Sequence, residues 1–271
     1  MFILFDIGGT NTRIGISKNG KKIDAVNIFP TAKDFKKEME LIKESAEELS
    51  GGKKIEAAAG GIASALNKTK SKMLFYPNGC PKWKGKDLKK GLEKAFRAKV
   101  FLENDCVMVG LGEMQKGAGK KKGVGAYVTI SSGVGGARFV DGRPDESANG
   151  FEPGAQYIYF KGKSMMLENV ISGVALKKRY GKDAKDIKSN RVWEEEAKYI
   201  ALGLNNIIVQ WSPDVVVLGG SVMKKVSLLK VKINLKRMLK VFPNLPFIKK
   251  SELDDIGGLH GALWYLNNLR K

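Results

Sequence analysis

Short apolar runs that end in small-residue turns recur along this chain, alternating with stretches of helical periodicity. Phe2-Ile3-Leu4-Phe5 reads as a buried strand, Asp6-Ile7-Gly8-Gly9-Thr10-Asn11-Thr12 as a turn, and Arg13-Ile14-Gly15-Ile16 as the returning strand. The same layout comes back later. Ala126-Tyr127-Val128-Thr129-Ile130 is an apolar run, Ser131-Ser132-Gly133-Val134-Gly135-Gly136 a small-residue turn, and Ala137-Arg138-Phe139-Val140 the return. Asn19-Gly20 follows the first copy and Asp141-Gly142 the second, and both dipeptides are strong hairpin signals. A single glycine hairpin is usually only a tight turn. Two with one layout predict two similar domains facing one ligand.

Between and after these hairpins the periods change. Lys21 to Phe29 predicts a third strand. Thr31 then caps a helix over 32–49, with Phe35, Met39, Ile42, Ala46 and Leu49 on its apolar face. Lys54 to Ala59 predicts a strand ending at Gly60-Gly61, followed by a long loop with Asn67, Pro77-Asn78-Gly79 and Pro81. Leu88, Leu92 and Phe96 mark a short helix. Val100-Phe101-Leu102 is a strand, and Asn104-Asp105 opens a helix to Gln115. Gly117 to Gly123 reads as a hinge. Helices are expected over Ser164–Arg179 and Asn190–Trp211, the latter with Trp193, Ala197, Ile200, Ala201, Leu204 and Ile208 inward. Asp214-Val215-Val216-Val217-Leu218 is a buried strand closed by Gly219-Gly220-Ser221. This alternation places the chain in the α/β class with mixed sheets. The expected domains are 1–118 and 119–258, with a final helix over about 259–271 packing back on the first.

Composition narrows the function classes. The 271 residues are 43% apolar, ordinary for globular domains and enough for two modest cores. No long uncharged apolar segment and no basic leader stand out, so no membrane span and a cytoplasmic location are expected. Cys80 and Cys106 form neither a disulfide framework nor a zinc site. His260 is the single histidine, which excludes chemistry built on a histidine cluster. The formal charge of +20 comes from scattered lysine pairs such as Lys36-Lys37, Lys89-Lys90 and Lys249-Lys250. No aromatic-interleaved basic block accompanies them. The charge reads as solvated surface that also attracts anionic substrates such as ATP, without specific nucleic-acid binding.

Certain residues suit phosphate and hydroxyl chemistry. Gly8 and Gly9 lack Cβ bulk, so backbone N–H groups can approach an anion. Thr10 and Thr12 add hydroxyl donors, and Asp6 can hold Mg²⁺ directly or through water. Asn104-Asp105 sits at the carboxyl end of a strand, where open α/β sheets bind ligands. There Asp105 could take a proton from a substrate hydroxyl that Asn104 orients, or the pair could be a helix cap, or one residue could do each. Gly219-Gly220 could carry a flat ring on exposed backbone, or be an ordinary strand-to-helix turn. Glu152 lies in the rigid loop Asn149-Gly150-Phe151-Glu152-Pro153-Gly154. Glu168 lies among Met165, Met166, Leu167, Val170 and Ile171. Periodicity leaves open whether Glu168 edges the apolar stripe or faces a ligand.

In this order the pieces resemble the ROK family of repressors and sugar kinases, within the actin-like ATPase superfamily. Phe5-Asp6-Ile7-Gly8-Gly9-Thr10-Asn11 is similar to its first phosphate motif, and Tyr76-Pro77-Asn78 through Trp83-Lys84-Gly85 to its Pro-Asn…Trp-x-Gly loop. Glu103-Asn104-Asp105 is similar to its catalytic Asn-Asp, and Ser132-Gly133-Val134-Gly135-Gly136 to its second phosphate turn. Val217-Leu218-Gly219-Gly220 resembles its adenosine motif, and Asp255 to Ala262 its closing helix. The resemblance implies two actin-like ATPase (ribonuclease H-like) domains with mixed sheets flanked by helices and a cleft between them. It implies ATP-dependent phosphoryl transfer to a sugar hydroxyl, commonly the 6-hydroxyl of a hexose or N-acyl amino sugar, with Asp105 as general base. Asn104, Glu152 and Glu168 would bind the sugar, with Asn78 nearby. ATP-Mg²⁺ would lie between the turns holding Asp6 to Thr12 and Ser132, Gly133 and Gly135, with Gly219-Gly220 at the adenosine. Homodimers are common in the family. Two features depart from its pattern: Ala155 stands where a histidine is expected, and Gln156 to Leu167 contains no cysteine. No zinc is therefore expected. A sugar- or nucleotide-binding regulator without turnover is the alternative, and a basic RNA-associated protein on this scaffold a weaker one.

Overall fold

The computed structural model describes residues 1–75, 80–120, 123–147 and 149–268. It divides into two compact units, one of Met1–Gln115, Glu146–Gly150 and Asp255–Lys271, the other of Lys116–Asp145 and Phe151–Asp254. The first unit opens with β1 (Phe2–Ile7), β2 (Asn11–Ser17) and β3 (Ala25–Pro30), then α1 (Phe35–Ser50) and β4 (Ala57–Ile62). It continues through α2 (Leu88–Phe96), β5 (Lys99–Asn104) and α3 (Asp105–Gln115). Its sheet has the order β3-β2-β1-β4-β5. The first three strands pair antiparallel; β1, β4 and β5 run parallel. Ile3, Phe5, Ile7, Ile14 and Ile16 are fully buried, with α1 and α2 supplying Ile42, Leu88 and Leu92 to the same core.

The second unit repeats this plan. It contains β6 (Val124–Ile130), β7 (Val134–Val140), β8 (Arg143–Pro144), β9 (Tyr157–Phe160) and β10 (Lys163–Met166). Next come α4 (Glu168–Ile171), α5 (Gly173–Tyr180), α6 (Asn190–Trp211), β11 (Val215–Gly219), α7 (Leu228–Met238) and β12 (Phe247–Lys250). The main sheet is ordered β12-β11-β6-β7-β8. Again an antiparallel meander is extended by two parallel strands, so the repeat read from the glycine hairpins is a repeat of sheet topology. The inward face expected for α6 is buried, from Trp193 to Ile208. The chain then returns to the first unit as α8 (Gly257–Asn268). This helix covers Phe2, Leu4, Ala57 and Ala59 with Leu259, Ala262, Leu263 and Leu266. It crosses α3 with almost no side chain between them: a Cβ on Gly261 would stand 1.8 Å from the Met108 carbonyl oxygen, and one on Gly112 2.3 Å from that of Gly257.

Several local expectations are corrected. Asp34, not Thr31, caps α1, accepting from the Lys37 N–H; Thr31 instead donates to the Gly8 carbonyl. β4 lies later than read and includes Gly60-Gly61, because a Cβ at Gly60 would collide with the Phe5 carbonyl at 2.0 Å and only glycine fits that register. Asn19-Gly20 makes no two-residue hairpin. Residues Lys18–Asp24 form a loop held by Ser17, Asn19 and Asp24 oxygens accepting the N–H groups of Gly20, Lys21 and Lys18. The helix expected from Ser164 is a hairpin followed by two short helices. Lys161 and Gly162 both take positive φ, the type I′ geometry that joins β9 to β10. Ser172, extended at ψ 159°, then separates α4 from α5 and caps the latter. Of the expected hinge, Lys121 and Lys122 lie outside the described residues.

Candidate active site

The first glycine turn is shorter than its motif. β1 and β2 pair as far as Ile7 with Thr12, leaving Gly8-Gly9-Thr10 as the loop. The Gly8 N–H is already donated to the Asn11 carbonyl at 3.0 Å. Thr10 is exposed, but Thr12 is fully buried and serves a different purpose from the hydroxyl donor expected of it. Its hydroxyl donates to Glu38 Oε1 at 2.5 Å and shares a hydrogen bond with Thr31 at 3.0 Å. Glu38 is itself fully buried on α1, and its other oxygen accepts the Ala32 N–H at 2.6 Å. One buried carboxylate thus ties the glycine turn to the end of β3 and to α1. Burial raises the Glu38 pKa, and the Thr12 and Ala32 hydrogen bonds work against that rise.

Asp6, the expected metal-holding carboxylate, ends on the same turn. Burial pushes its pKa up to about 6, against the pull of Arg13, whose guanidinium stands 3.3 Å away. Arg13 also reaches Asp255 at 3.8 Å. A Cβ on Gly258 would lie 3.4 Å from Asp6 Cγ, so the first turn of α8 runs against this side chain. Asp6 and Asp255 thus share a cation of the chain itself, and a hydrated dication held here would need the Asp6 carboxyl ionised.

Asn104 and Asp105 stand where β5 becomes α3. The capping reading holds for Asn104: its Oδ1 accepts the N–H groups of Cys106 at 2.8 Å and Val107 at 3.3 Å, and its amide donates to the Ser64 carbonyl at 3.1 Å. Asp105 is half-buried and accepts the Cys106 N–H at 2.8 Å. Its backbone lies against β4 so closely that a Cβ on Gly61 would be 2.7 Å from its Cα. Gly61, read only as part of a strand end, therefore leaves room for the backbone at position 105. Asn78 lies outside the described residues.

In the second unit Ser131-Ser132-Gly133 links β6 to β7, with the Ser131 N–H donated to the Gly133 carbonyl at 2.9 Å. Ser132 is exposed, and Gly133 and Gly135 are half-buried. The Ser131 hydroxyl is 3.2 Å from that of Ser221, which follows Gly219-Gly220. Both of those glycines are required. A Cβ at Gly219 would stand 2.3 Å from the Tyr127 hydroxyl, and Gly220 has φ +93° beside the Ile130 carbonyl. The two turns are thus neighbours at the ends of β6 and β11. Glu168 opens α4 and accepts the Val134 N–H at 3.2 Å, so it faces the serine–glycine turn rather than the apolar stripe. Glu152 precedes a 3-10 turn, Pro153–Ala155. Gly154 and Gly136 allow that turn to press on the sheet: a Cβ on Gly154 would be 2.2 Å from the Val134 carbonyl. Partial burial of its carboxyl, then the charge of Glu168, raise the Glu152 pKa. The structure therefore brings Glu152 and Glu168 together in one unit and Asp6, Asn104 and Asp105 together in the other. Sequence reading missed Glu38 and Arg13, whose only local signal is a charge at an inward-facing position. Among the described residues no three His, Cys, Asp or Glu side chains group as a metal cluster, and no helix is long and apolar enough to cross a membrane.

Comparison with known proteins adds identity to this geometry. A fructokinase of Zymomonas mobilis is 28% identical over 245 residues, covering 80% of this chain and 78% of its own. An uncharacterised protein of Clostridium perfringens is 28% identical over 288 residues, 97% of each chain. The crystal structure of a ROK hexokinase from Thermus thermophilus superposes with TM-score 0.81 at 26% identity, over 98% of both chains. The ROK family profile matches residues 3–268, so two sheets of one topology, each ending in glycine turns, are those of its actin-like ATPase fold, and the chain belongs to the ROK family.

Proposed function

We propose that this protein is an ATP-dependent sugar kinase that phosphorylates a hexose or N-acyl amino sugar, at its 6-hydroxyl, with Asp105 as general base. The observation that carries the reading is Asp105 itself. It opens α3 at the carboxyl end of β5, with its backbone against Gly61 of β4, while its neighbour Asn104 supplies the helix cap through the Cys106 and Val107 N–H groups. In this reading the first unit binds sugar and phosphate, and the second binds nucleotide and supplies two further acids to the acceptor. Asn104, Glu152 and Glu168 hydrogen-bond the acceptor, with Asn78 beside it. The main-chain N–H groups and hydroxyls of Gly8 to Asn11, with Thr12 holding the turn from beneath, and those of Ser132, Gly133 and Gly135, receive the phosphates. Gly219-Gly220 lies under the adenosine. Asp6 would hold Mg²⁺, whose chemistry when bound would be to neutralise charge on the triphosphate. Asp105 accepts the proton of the acceptor hydroxyl as it attacks. Positioning and charge neutralisation supply most of the rate, since phosphoryl transfer asks little covalent help. The names of the hexokinase and fructokinase relatives support this reading over a regulator without turnover.

The test is ADP release across a sugar panel, comparing wild type with Asp105→Asn. One sugar should stimulate release, and the variant should lose about 10²- to 10⁴-fold in kcat while keeping its circular dichroism and melting temperature. Sugar binding with no ADP release in the wild type would establish the regulator instead.

A further inference from the structure

Gln156 occupies a junction that neither the motif reading nor the family assignment uses. Its side-chain amide donates to the carbonyl of Pro153, the residue after Glu152, at 2.8 Å, and to the Gly203 carbonyl of α6 at 3.4 Å. Its Oε1 accepts from the Asn206 amide, also on α6, at 2.8 Å. Its main-chain carbonyl accepts the Leu167 N–H at 2.8 Å, and Leu167 is the residue before Glu168. Leu167 in turn packs on α6 over Gly203, where a Cβ would lie 2.5 Å from Leu167 Cδ2 and displace that side chain. One residue therefore holds the backbone next to both acids and refers them to one long helix. Glu168 carries the reference on to the serine–glycine turn through the Val134 N–H.

We propose that Gln156, clamped by Asn206, is a positioning residue that sets the spacing between Glu152 and Glu168 and so the fit of the acceptor; the proposal rests on the reading of these two acids as acceptor ligands. The physical reason is mutual repulsion. Two carboxylates close enough for one to raise the pKa of the other move apart unless their backbones are tied. Glu152 immediately precedes a 3-10 turn and Glu168 lies on a four-residue helix, and such short elements do not hold a position by themselves. Gln156 suits the task because a primary amide donates two hydrogen bonds and accepts from a third partner at once. Its three partners lie on two elements.

Gln156→Met keeps the length of the side chain and removes its three side-chain polar contacts, leaving the main-chain bond to Leu167. Asn206→Ala removes only the outer clamp. The readouts are steady-state kinetics with the KM values for acceptor and ATP measured separately, and a carbon-13 NMR titration of the Glu152 carboxyl. Acceptor KM should rise by roughly 10-fold in Gln156→Met, the scale of one lost hydrogen-bonded contact, and less in Asn206→Ala, while ATP KM stays within about twofold. The double variant should be no worse than Gln156→Met, since the two residues act through one contact. The Glu152 titration should move down towards the ordinary carboxylate range as the acids separate. Should Gln156→Met not fold, Asn206→Asp keeps the shape, loses the donor and carries the same expectation. Folded variants with wild-type acceptor KM and wild-type Glu152 titration overturn the proposal. If the wild type turns over no sugar, the reading of the acids as acceptor ligands falls instead, and the titration alone decides whether Gln156 sets their spacing.

Discussion

Buried carboxylates do much of the structural work in this protein, and each is identified by what it touches. Glu38 is fully enclosed and accepts from Thr12 and Ala32. Glu196 is fully enclosed on α6 and meets Arg179 at 2.7 Å. Desolvation raises the Glu196 pKa to about 7 in spite of that arginine. The folded chain therefore holds this proton more tightly than the unfolded chain does. The site's contribution to stability is complete below the ordinary carboxyl value of 4.5, and it is lost as the pH rises through about 7. Glu196→Gln cannot ionise, so denaturant midpoints of wild type should fall relative to the variant between those two pH values. Above them the two curves should run parallel. Equal pH profiles for the two proteins would show that Glu196 is not the titrating group.

Among the elements, the contacts that matter most are between backbones. β4 carries Gly60 and Gly61, and the crossing of α3 with α8 carries Gly112 and Gly261. These glycines bring elements close enough for carbonyls and α-carbons to touch. Gly61→Ala should push Asp105 away from β4. Overpacking of this kind costs about 1–3 kcal/mol of stability. Under the proposed function a shift of Asp105 is more damaging to rate, on the order of 10²-fold in kcat for a displacement near 1 Å. An activity loss in Gly61→Ala that far exceeds its loss of stability is the expected outcome. A variant with reduced melting temperature and full kcat would show that the glycine serves packing alone. Sequence reading took Gly60-Gly61 as a strand end because glycine is depleted in strands. Only the neighbours, Phe5 of β1 and the start of α3 at Asp105, show why this strand needs them. The β9–β10 hairpin was misread for a related reason. Met165, Met166 and Leu167 supply apolar positions at helical spacing, and the Lys161-Gly162 turn that overrides them is a weak signal beside Asn-Gly or Asp-Gly.

For the whole molecule, the net charge of +20 is a property of the surface and not of the fold. It should favour capture of a polyanionic substrate through long-range attraction that salt screens. At saturating acceptor, the KM for MgATP should rise several-fold as ionic strength increases from about 0.05 M to about 0.5 M, where the Debye length becomes only a few ångströms. The KM for a neutral sugar should stay constant over that range. A salt-independent nucleotide KM would mean that the lysines are merely solvated.

The amino-acid sequence alone determined those features in which neighbours along the chain decide the outcome. The apolar runs, the two serine- or threonine-bearing glycine turns, the Asn-Asp pair at a strand end and the inward stripe of α6 all follow from local period, steric freedom and capping chemistry. These suffice for the α/β class, for the repeated topology and for the family. The tertiary structure alone decided which polar groups share an environment. Thr12 belongs to Glu38 and not to solvent, and Gln156 to Asn206, at separations that no local pattern encodes. Such pairs form because burial leaves each polar atom needing a partner wherever the fold supplies one, and that choice is made by packing between distant segments.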